Sequence, residues 1–183
     1  MNNHLTDRIL TFALVMMAFA ISGFSQKVED GWKGLLPFKS TRADVEKIFG
    51  NGKPEPDRWL REVWQYKYDS AEAVIGVVYS GAPCDKKTPF VNRYDLPANT
   101  ILRYRVQLKQ PVPITELRFD ADRFDQRDPF KYEDVEFIYW KSSTFYDLHL
   151  EGFISAGRDY IKYIDYGTPF KEAEKRRCTK TVD

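Results

Sequence analysis

The alternation of apolar and polar side chains over residues 100–109 constrains the fold of this chain more than any other feature. The two sets are Leu102, Tyr104, Val106 and Leu108 against Arg103, Arg105, Gln107 and Lys109. A period of two predicts a β-strand with one buried face and one wet face. Because strands of parallel sheets are buried on both faces, we expect an antiparallel sheet. Pro111 and Pro113 predict the end of this strand.

Five other segments have strand patterns of alternating or β-branched apolar residues. They cover residues 62–68, 73–79, 134–140, 145–151 and 159–166. The first two are joined by a short turn at Asp69 and Ser70, which predicts a hairpin. Before them, residues 54–56 contain two prolines and predict an irregular turn. Residues 85–99 predict a solvated loop, and residues 114–128 fit either a short helix or an irregular edge.

One amphipathic helix is predicted to start at Ser40-Thr41 and to end at Gly50. A serine or threonine hydroxyl is a typical N-cap, and glycine is typical of the position after the last helical turn. Val45, Ile48 and Phe49 follow the i, i+3, i+4 spacing of one apolar stripe. The fold class predicted from these patterns is therefore α+β, with short helices packed on an antiparallel sheet.

The predicted domain covers residues 26–183, either as one unit or as two related helix-plus-sheet halves, 31–84 and 100–178. A weak internal similarity bears on this choice, because Tyr79 and Tyr166 are each followed by a turn with glycine and proline and then by a cysteine. Duplication of a half explains this similarity, and so does turn chemistry that recurs at strand ends. Both explanations stay open.

Residues 1–25 have the composition of a secretory signal peptide. Asp7 and Arg8 precede a mainly apolar run over residues 9–21, and Gly23 and Ser25 supply small residues for processing. The run is shorter than the ~20 apolar residues that span a bilayer. No cysteine follows it at the position where a lipoprotein is lipidated. We expect a soluble, secreted or periplasmic product; an uncleaved signal that anchors the chain is the alternative.

The charge balance argues against nucleic acid as a partner. The whole chain has 28 basic and 27 acidic residues and a net charge of +1. Loss of Asp7 and Arg8 with the signal removes one of each, so the mature net charge is unchanged. Nucleic acids and anionic membranes select for a clear basic excess, which this chain lacks.

Cys84 and Cys178 are the two cysteines of the chain, and both lie in the exported part. An even number outside the cytoplasm predicts one disulfide, with two buried thiols as the alternative. The bridge would close a loop of 94 residues between the middle of the chain and its end.

Two resemblances add to this interpretation. Residues 35–50, Leu-Leu-Pro-Phe-Lys-Ser-Thr-Arg-Ala-Asp-Val-Glu-Lys-Ile-Phe-Gly, resemble the helical signature of the SmpA/OmlA-type outer-membrane assembly lipoproteins. A helix-then-sheet unit used twice is similar to the β-lactamase-inhibitor-protein architecture. The lipidation cysteine of the lipoproteins is missing here, so the resemblance does not imply their assembly role.

A longer stretch, residues 31–178, resembles a group of uncharacterised exported bacterial proteins. The motifs that carry this resemblance are Gly-Trp-Lys-Gly-Leu at 31–35, Ser-Thr-Arg-Ala-Asp-Val at 40–45, Tyr-Ser-Gly-Ala-Pro-Cys at 79–84, Leu-Pro-Ala-Asn-Thr-Ile at 96–101 and Arg-Arg-Cys at 176–178. The resemblance implies export, the fold and the disulfide, and no activity.

No strong catalytic or metal-binding signature is present in the sequence. His149 is the single histidine of the mature chain, so it cannot form a two-histidine zinc site, and no G-x-S-x-G motif occurs. The acidic cluster of Asp120, Asp122, Asp125 and Asp128 departs from a calcium loop at Phe124 and Asp125, which favours a solvated acidic loop. We therefore expect no cofactor and no metal.

The aromatic content supports a binding role. The mature chain has 25 aromatic residues in 158, and exposed Trp and Tyr are typical of protein contact surfaces, although a small core also uses them. The candidate contact residues are Trp32, Trp59, Tyr66, Tyr104, Tyr139 and Trp140. The favoured function is a non-catalytic binding or inhibitor-like module that contacts an envelope or extracellular protein. The alternative is a glycan- or cell-wall-acting enzyme that uses paired carboxylates such as Glu133, Asp134 and Glu136.

Overall fold

A computed structural model describes residues 27–56, 64–85, 91–133, 135–142 and 148–178. Eight strands form one antiparallel sheet with the order β1-β2-β3-β4-β8-β7-β6-β5. The strands are β1 (Lys53–Pro56), β2 (Trp64–Asp69), β3 (Ala73–Tyr79), β4 (Ile101–Pro113), β5 (Asp125–Tyr132), β6 (Val135–Ser142), β7 (Leu148–Ser155) and β8 (Arg158–Tyr166). The predicted signal, residues 1–25, lies outside the described residues.

The sheet dominates the fold, and the helices are few and short. The α-helices are α1 (Arg42–Phe49) and α2 (Phe170–Lys175), and 3-10 turns occupy Val28–Asp30, Trp32–Gly34, Ile114–Glu116 and Ala121–Arg123. The antiparallel sheet is confirmed, and the helical share is smaller than the prediction implied. In the described ranges no helix has the length and apolar character needed to cross a bilayer.

The strand order consists of two consecutive meanders. Strands β1 to β4 neighbour each other in sequence order, as do β5 to β8, and the two sets meet where β4 pairs with β8. Antiparallel neighbours need only short connections, so each meander forms from local hairpins. The exception is the long connection between β3 and β4.

Helix α1 begins and ends as its sequence predicts. Thr41 and Asp44 form a capping box, in which the Thr41 backbone N–H donates to the Asp44 carboxylate at 2.7 Å. These hydrogen bonds lower the pKa of Asp44. Within the apolar stripe, Val45 is fully buried but Ile48 is 41% exposed. The short helix thus packs on the sheet mainly through Val45.

Prolines end regular structure less often than predicted. Residues 53–56 form the edge strand β1 with two prolines, and β4 continues through Pro111 and Pro113. The predicted turn at residues 54–56 and the predicted end of the strand at residues 110–113 are therefore both wrong, and for the same reason. An edge strand needs ladder hydrogen bonds on one side only, so a residue without an N–H is tolerated. Beyond its last pair with β3 at Leu108, β4 has β8 as its one ladder partner.

A register shift in β4 divides its predicted apolar set. Val78 pairs with Arg103 and Tyr79 pairs with Ile101, so Leu102 is the extra residue of a bulge. Leu102 consequently packs in a second, smaller cluster with Phe38, Val78, Tyr94 and Leu96. The prediction of a solvated loop over residues 85–99 is wrong for this part, because apolar side chains of the connection cover one end of the sheet.

The main core lies on one side of the sheet, which we call the covered face. The N-terminal segment, residues 28–35, crosses this face and is fixed by two tyrosine hydroxyls. Tyr104 donates to the Leu35 carbonyl at 2.6 Å and accepts from the Trp32 backbone N–H at 2.9 Å. Tyr166 donates to the Val28 carbonyl at 3.0 Å. The two tyrosine rings stack at 4.4 Å.

The C-terminal segment is attached to the β3–β4 connection. Cys84 and Cys178 form a disulfide with an S–S distance of 2.12 Å, as the sequence predicts. The Cys178 backbone N–H also donates to the Arg93 carbonyl at 2.9 Å, and Asp95 N–H donates to the Arg176 carbonyl at 2.7 Å. Helix α2 is thereby held beside the sheet, over the side opposite the main core.

Candidate binding face of the sheet

The side of the sheet opposite the covered face carries both apolar and charged side chains. Its centre has Arg105, Glu151 and Asp165, and its β5–β8 end has a row of aromatic rings. Because side chains alternate along each strand, these residues occupy positions next to buried ones such as Ile138 and Ile164. We call this side the open face.

Four aromatic residues form a continuous row across the open face. Their backbone pairing is direct, from Phe130 to Phe137, from Phe137 to Phe153 and from Phe153 to Tyr160. The first two rings stack at 5.2 Å with 14° between their planes, and the last two stack at 5.8 Å with 15°. We call this row the aromatic ladder. Cross-strand aromatic pairs of this kind stabilise a sheet by about 0.2–1 kcal/mol each.

The aromatic ladder is exposed at its β5–β6 end. Phe130 is 59% exposed, and on the same hairpin Tyr132 is 66% and Val135 43% exposed. Large apolar side chains that are exposed together, rather than singly, mark contact surfaces in monomeric proteins. The stacked pairs within the ladder are Phe130 with Phe137 and Phe153 with Tyr160, and the exposed Phe130 lies at its outer end.

An ion-pair network lies beside the aromatic ladder. The Arg105 guanidinium donates to both oxygens of Asp165 at 2.6 Å and to Glu151 at 3.3 Å. The hydrogen bonds to Asp165 raise the pKa of Arg105. Burial raises the pKa of Glu151, and the Arg105 charge opposes that rise. One guanidinium therefore links β4, β7 and β8 on the open face.

Tyr139 and His149 lie on the open face as the cross-strand neighbours of Glu151 and Asp165, respectively. The Tyr139 ring lies 5.1 Å from the His149 ring, and the Arg127 guanidinium lies 5.3 Å from the Tyr139 centroid. Among the described residues no group of three or more His, Cys, Asp or Glu side chains is arranged to hold a metal ion. His149 is a strand residue on the open face, and its ring is tilted by 57° relative to the Tyr139 ring.

A cleft of about 820 Å³ opens between the centre of the open face and the C-terminal segment. Its floor includes Gly76 and Val78 of β3, and one wall includes Phe170 and Ala173 of α2. Four arginines line it, together with three carboxylates: Arg93, Arg103, Arg105 and Arg177 with Glu151, Asp165 and Glu174. A cleft of this size admits a small molecule or a few side chains of a partner.

The six aromatic residues singled out from the sequence do not share one surface. Trp32 and Tyr104 are 8% and 2% exposed and belong to the core. Tyr66 packs on the covered face between the Arg42 guanidinium at 4.1 Å and the Tyr79 ring at 5.4 Å.

Trp140 also lies on the covered face, with its ring 5.9 Å from that of Phe119. Tyr139 lies on the open face, and Trp59 lies outside the described residues. Of the predicted residues that the structure describes, Tyr139 alone stands beside the aromatic ladder.

Sequence reasoning missed the aromatic ladder for identifiable reasons. The strand predicted over residues 145–151 continues to Ser155, which places Phe153 in the sheet. Residues 125–132 form β5. Residues 114–128 fitted either a short helix or an irregular edge, and no element was predicted for residues 129–133, so Phe130 was not assigned to a face. The signal that could have found the ladder is the alternation of Phe137 with Ile138 and of Tyr160 with Ile161.

The acidic candidates do not assemble into a site. Glu133 and Glu136 are both exposed at the β5–β6 hairpin, and Asp134 lies outside the described residues. In the acidic cluster, Asp120 pairs with Arg123 at 3.0 Å. Asp125 and Asp128 lie in the extended strand β5, and a strand does not wrap around a cation as a calcium loop does.

Comparisons with known proteins return no relative. No protein-family model, no curated protein and no solved structure matches this chain. The resemblances to the SmpA/OmlA-type lipoproteins and to the β-lactamase-inhibitor-protein architecture therefore stay predictions.

Proposed function

We propose that this chain is an exported, non-catalytic binding or inhibitor-like module that contacts a protein through the open face of its sheet. The observation that carries the proposal is the aromatic ladder across β5 to β8. Aromatic side chains contribute a large share of the energy of protein interfaces, especially at the centre of the contact. The ladder offers such a centre, and the Arg105 network offers a polar rim.

The edges of the sheet favour contact through the face. Strand β1 carries Pro54 and Pro56, and β5 carries Pro129 next to a register shift. Proline and bulges prevent another strand from adding to an edge. These edges therefore disfavour a partner that would extend the sheet by adding a strand. They favour a partner that packs on the open face, where apolar rings are exposed.

We also propose that the chain is exported and that its sheet consists of two related halves. The disulfide is typical of proteins outside the cytoplasm, and the composition of residues 1–25 is typical of a signal peptide. The two meanders, β1–β4 and β5–β8, are what two related sheet-forming halves would produce. The first two observations support a secreted or periplasmic location as part of the proposal.

Site-specific photo-crosslinking tests the contact. A photoreactive phenylalanine analogue replaces Phe130 in one protein and Ile48 in a control, because Ile48 is also exposed but lies on α1. In envelope extract we expect one discrete protein adduct from position 130, its loss when Phe153→Ser is added, and no such adduct from position 48. Equal labelling from both positions, or none from position 130, contradicts the proposal.

A second candidate function is hydrolysis of a glycan by the paired carboxylates of the cleft. One observation favours this function. Burial raises the pKa of Glu151, as a general acid requires, and the Arg105 guanidinium that binds Glu151 also binds Asp165. Against it, Arg105 bridges the two carboxylates where a sugar would have to bind. Release of reducing ends from cell-wall polysaccharide that is lost in Glu151→Gln, with the fold intact, would establish this function.

A further inference from the structure

We propose that the disulfide is a redox switch, whose reduction releases the C-terminal segment, residues 170–178, and widens the cleft that this segment lines. The inference goes beyond contact through the aromatic ladder, because it concerns other residues and a change of conformation. It depends on the exposure of the bond, on the weak packing of the segment, and on the firm attachment of the β3–β4 connection.

The disulfide is accessible to a reductant from solution. Cys84 is exposed on the β3–β4 connection, and Cys178 is half-buried. Thiol–disulfide exchange depends on access of the attacking thiolate to a sulfur, and exposed disulfides are typically the labile or regulatory ones. Cys84 also has a φ of 58°, in the left-handed region that a residue with a Cβ adopts at a cost. Breaking the bond lets this residue relax.

A dithiol reduces the bond in two exchange steps. A thiolate of the dithiol attacks the exposed Cys84 sulfur, forms a mixed disulfide with it, and displaces the Cys178 sulfur as a thiolate. The second thiolate of the dithiol then attacks its own partner sulfur in the mixed disulfide and displaces the Cys84 sulfur. The dithiol loses two electrons and becomes a disulfide, while the protein gains two electrons and two protons as two thiols. The sequence holds two cysteines, so this bond is the target.

The C-terminal segment packs weakly on the sheet. All six residues of α2 are described, and none of them is buried. Ala173 is half-buried and packs against the second, smaller apolar cluster. The ion pairs of Glu172 with Lys175 and Arg176 lie within the segment, so they do not attach it to the sheet. Because a helix of this length is not stable by itself, its order depends on how its end is held.

The β3–β4 connection, by contrast, is attached to the sheet by contacts of its own. Tyr94 and Leu96 are 4% and 2% exposed. The Ser80 backbone N–H donates to the Thr100 carbonyl at 2.8 Å, and the Ser80 hydroxyl donates to the Pro97 carbonyl at 2.6 Å. The two sides of the disulfide therefore differ. When the bond is broken, the connection stays on the sheet and the segment is the part that leaves.

Release of the segment changes the cleft and the cluster beneath it. Phe170 and Ala173 line the cleft from the segment, while Val78 and Tyr94 line it from β3 and the connection. Val78 is 3% exposed and belongs to the cluster against which Ala173 packs. Without the segment this cluster loses part of its cover, and the cleft loses one wall. The cleft is therefore narrow under oxidising conditions and wide in the presence of dithiols.

Backbone NMR of the mature chain, before and after reduction by an excess of dithiothreitol, tests the release. In the oxidised chain we expect order parameters S² of about 0.85 for the segment, and after reduction values below about 0.6. Strands β3, β4 and β8 should keep their native chemical shifts, because the main core does not include either cysteine. Unchanged order parameters in the segment, or loss of native shifts throughout these strands, overturns the proposal.

Two variants separate the effect of the bond from other effects of the reductant. The double variant Cys84→Ser with Cys178→Ser cannot form the bond, so its segment should have the low order parameters with and without dithiothreitol. Ala82→Ser adds a hydroxyl at an exposed position of the same connection and keeps the bond. It should respond to dithiothreitol as the wild type does. A segment that stays ordered in the double variant overturns the proposal.

The rate of reduction tests whether the bond is reached in the folded chain. Alkylation of the released thiols followed by mass measurement gives this rate at increasing urea concentrations below the unfolding transition. A bond that is accessible in the folded state is reduced at a rate that changes less than about twofold over this range. If reduction requires global unfolding, the rate rises about tenfold or more per molar urea, and that result overturns the switch.

Discussion

Replacement of Tyr104 by Phe gives the sharpest test of how this sheet is covered. The Tyr104 hydroxyl is buried and joins two groups of the N-terminal segment: it accepts from the Trp32 N–H and donates to the Leu35 carbonyl. Without the hydroxyl, a buried donor and a buried acceptor lose their partners. Each such loss costs about 1–3 kcal/mol. Because the segment can shift slightly in response, we expect a decrease of about 2–4 kcal/mol in the free energy of unfolding.

Two further Tyr→Phe variants are references for the stability loss expected of Tyr104→Phe. Tyr166→Phe removes the hydrogen bond to the Val28 carbonyl, and we expect a loss of about 1–2 kcal/mol. Tyr163 lies on the open face beside the Arg105 guanidinium, and its replacement by Phe should change stability by less than about 0.5 kcal/mol. The expected order of destabilisation is therefore Tyr104, then Tyr166, then Tyr163.

Urea denaturation followed by fluorescence measures these differences, with an unchanged m-value as the sign that the unfolded state is not altered. For a chain of this length, a loss of about 3 kcal/mol lowers the Tm by about 6–12 °C. A stability equal to that of the wild type in Tyr104→Phe would refute the reasoning. So would a loss of partner adduct in that variant without loss of stability, because Tyr104 would then be a surface residue.

Three more predictions concern the bridge, the β7–β8 bulge and the charged network. Replacement of Cys84 and Cys178 by Ala opens a loop of 94 residues and should cost about 4–5 kcal/mol in urea denaturation; a loss under about 1 kcal/mol would show that the bridge constrains little. Gly152→Ala places a Cβ 1.8 Å from a carbonyl oxygen of β8 and should destabilise by about 3 kcal/mol, whereas Gly157→Ala meets no atom and should cost about 1 kcal/mol through its positive φ; equal losses would contradict the close approach. Because the pKa of Glu151 is raised in the folded chain, the folded state holds this proton more tightly, so the free energy of unfolding should fall as pH rises from the usual glutamate pKa to the raised one. Glu151→Gln should abolish that part of the pH dependence, and an unchanged pH profile in the variant would assign it to other groups.

Local signals predicted the elements that depend on local chemistry. Strand β3 has the predicted bounds, 73–79, because a β-branched run next to a turn forms a strand in almost any sheet. Helix α1 begins at the Thr41 cap because the capping hydrogen bonds form within one turn of the chain. The pairing of the cysteines followed from their number.

Features that depend on distant parts of the chain were not predictable in the same way. The bulge at Leu102 exists because the register of β4 is set by β3, and it moves that side chain from one apolar cluster to the other. Strand β1 forms because β2 offers an edge to which a proline-containing segment can pair. Neither the bulge nor the edge has a signal within its own segment.

The sequence by itself determined that this chain is built from antiparallel strands, a capped helix and a disulfide, because alternation, capping and cysteine number act over short distances or by simple pairing. Alternation distinguishes the two faces of a strand, but it does not show which distant segment packs on each face. Only the tertiary structure decided that Tyr104 anchors the N-terminal segment while Phe137 and Phe153 remain on the open side. The physical reason is that burial of an aromatic ring depends on which distant segment packs against it, and that choice is made by the whole fold.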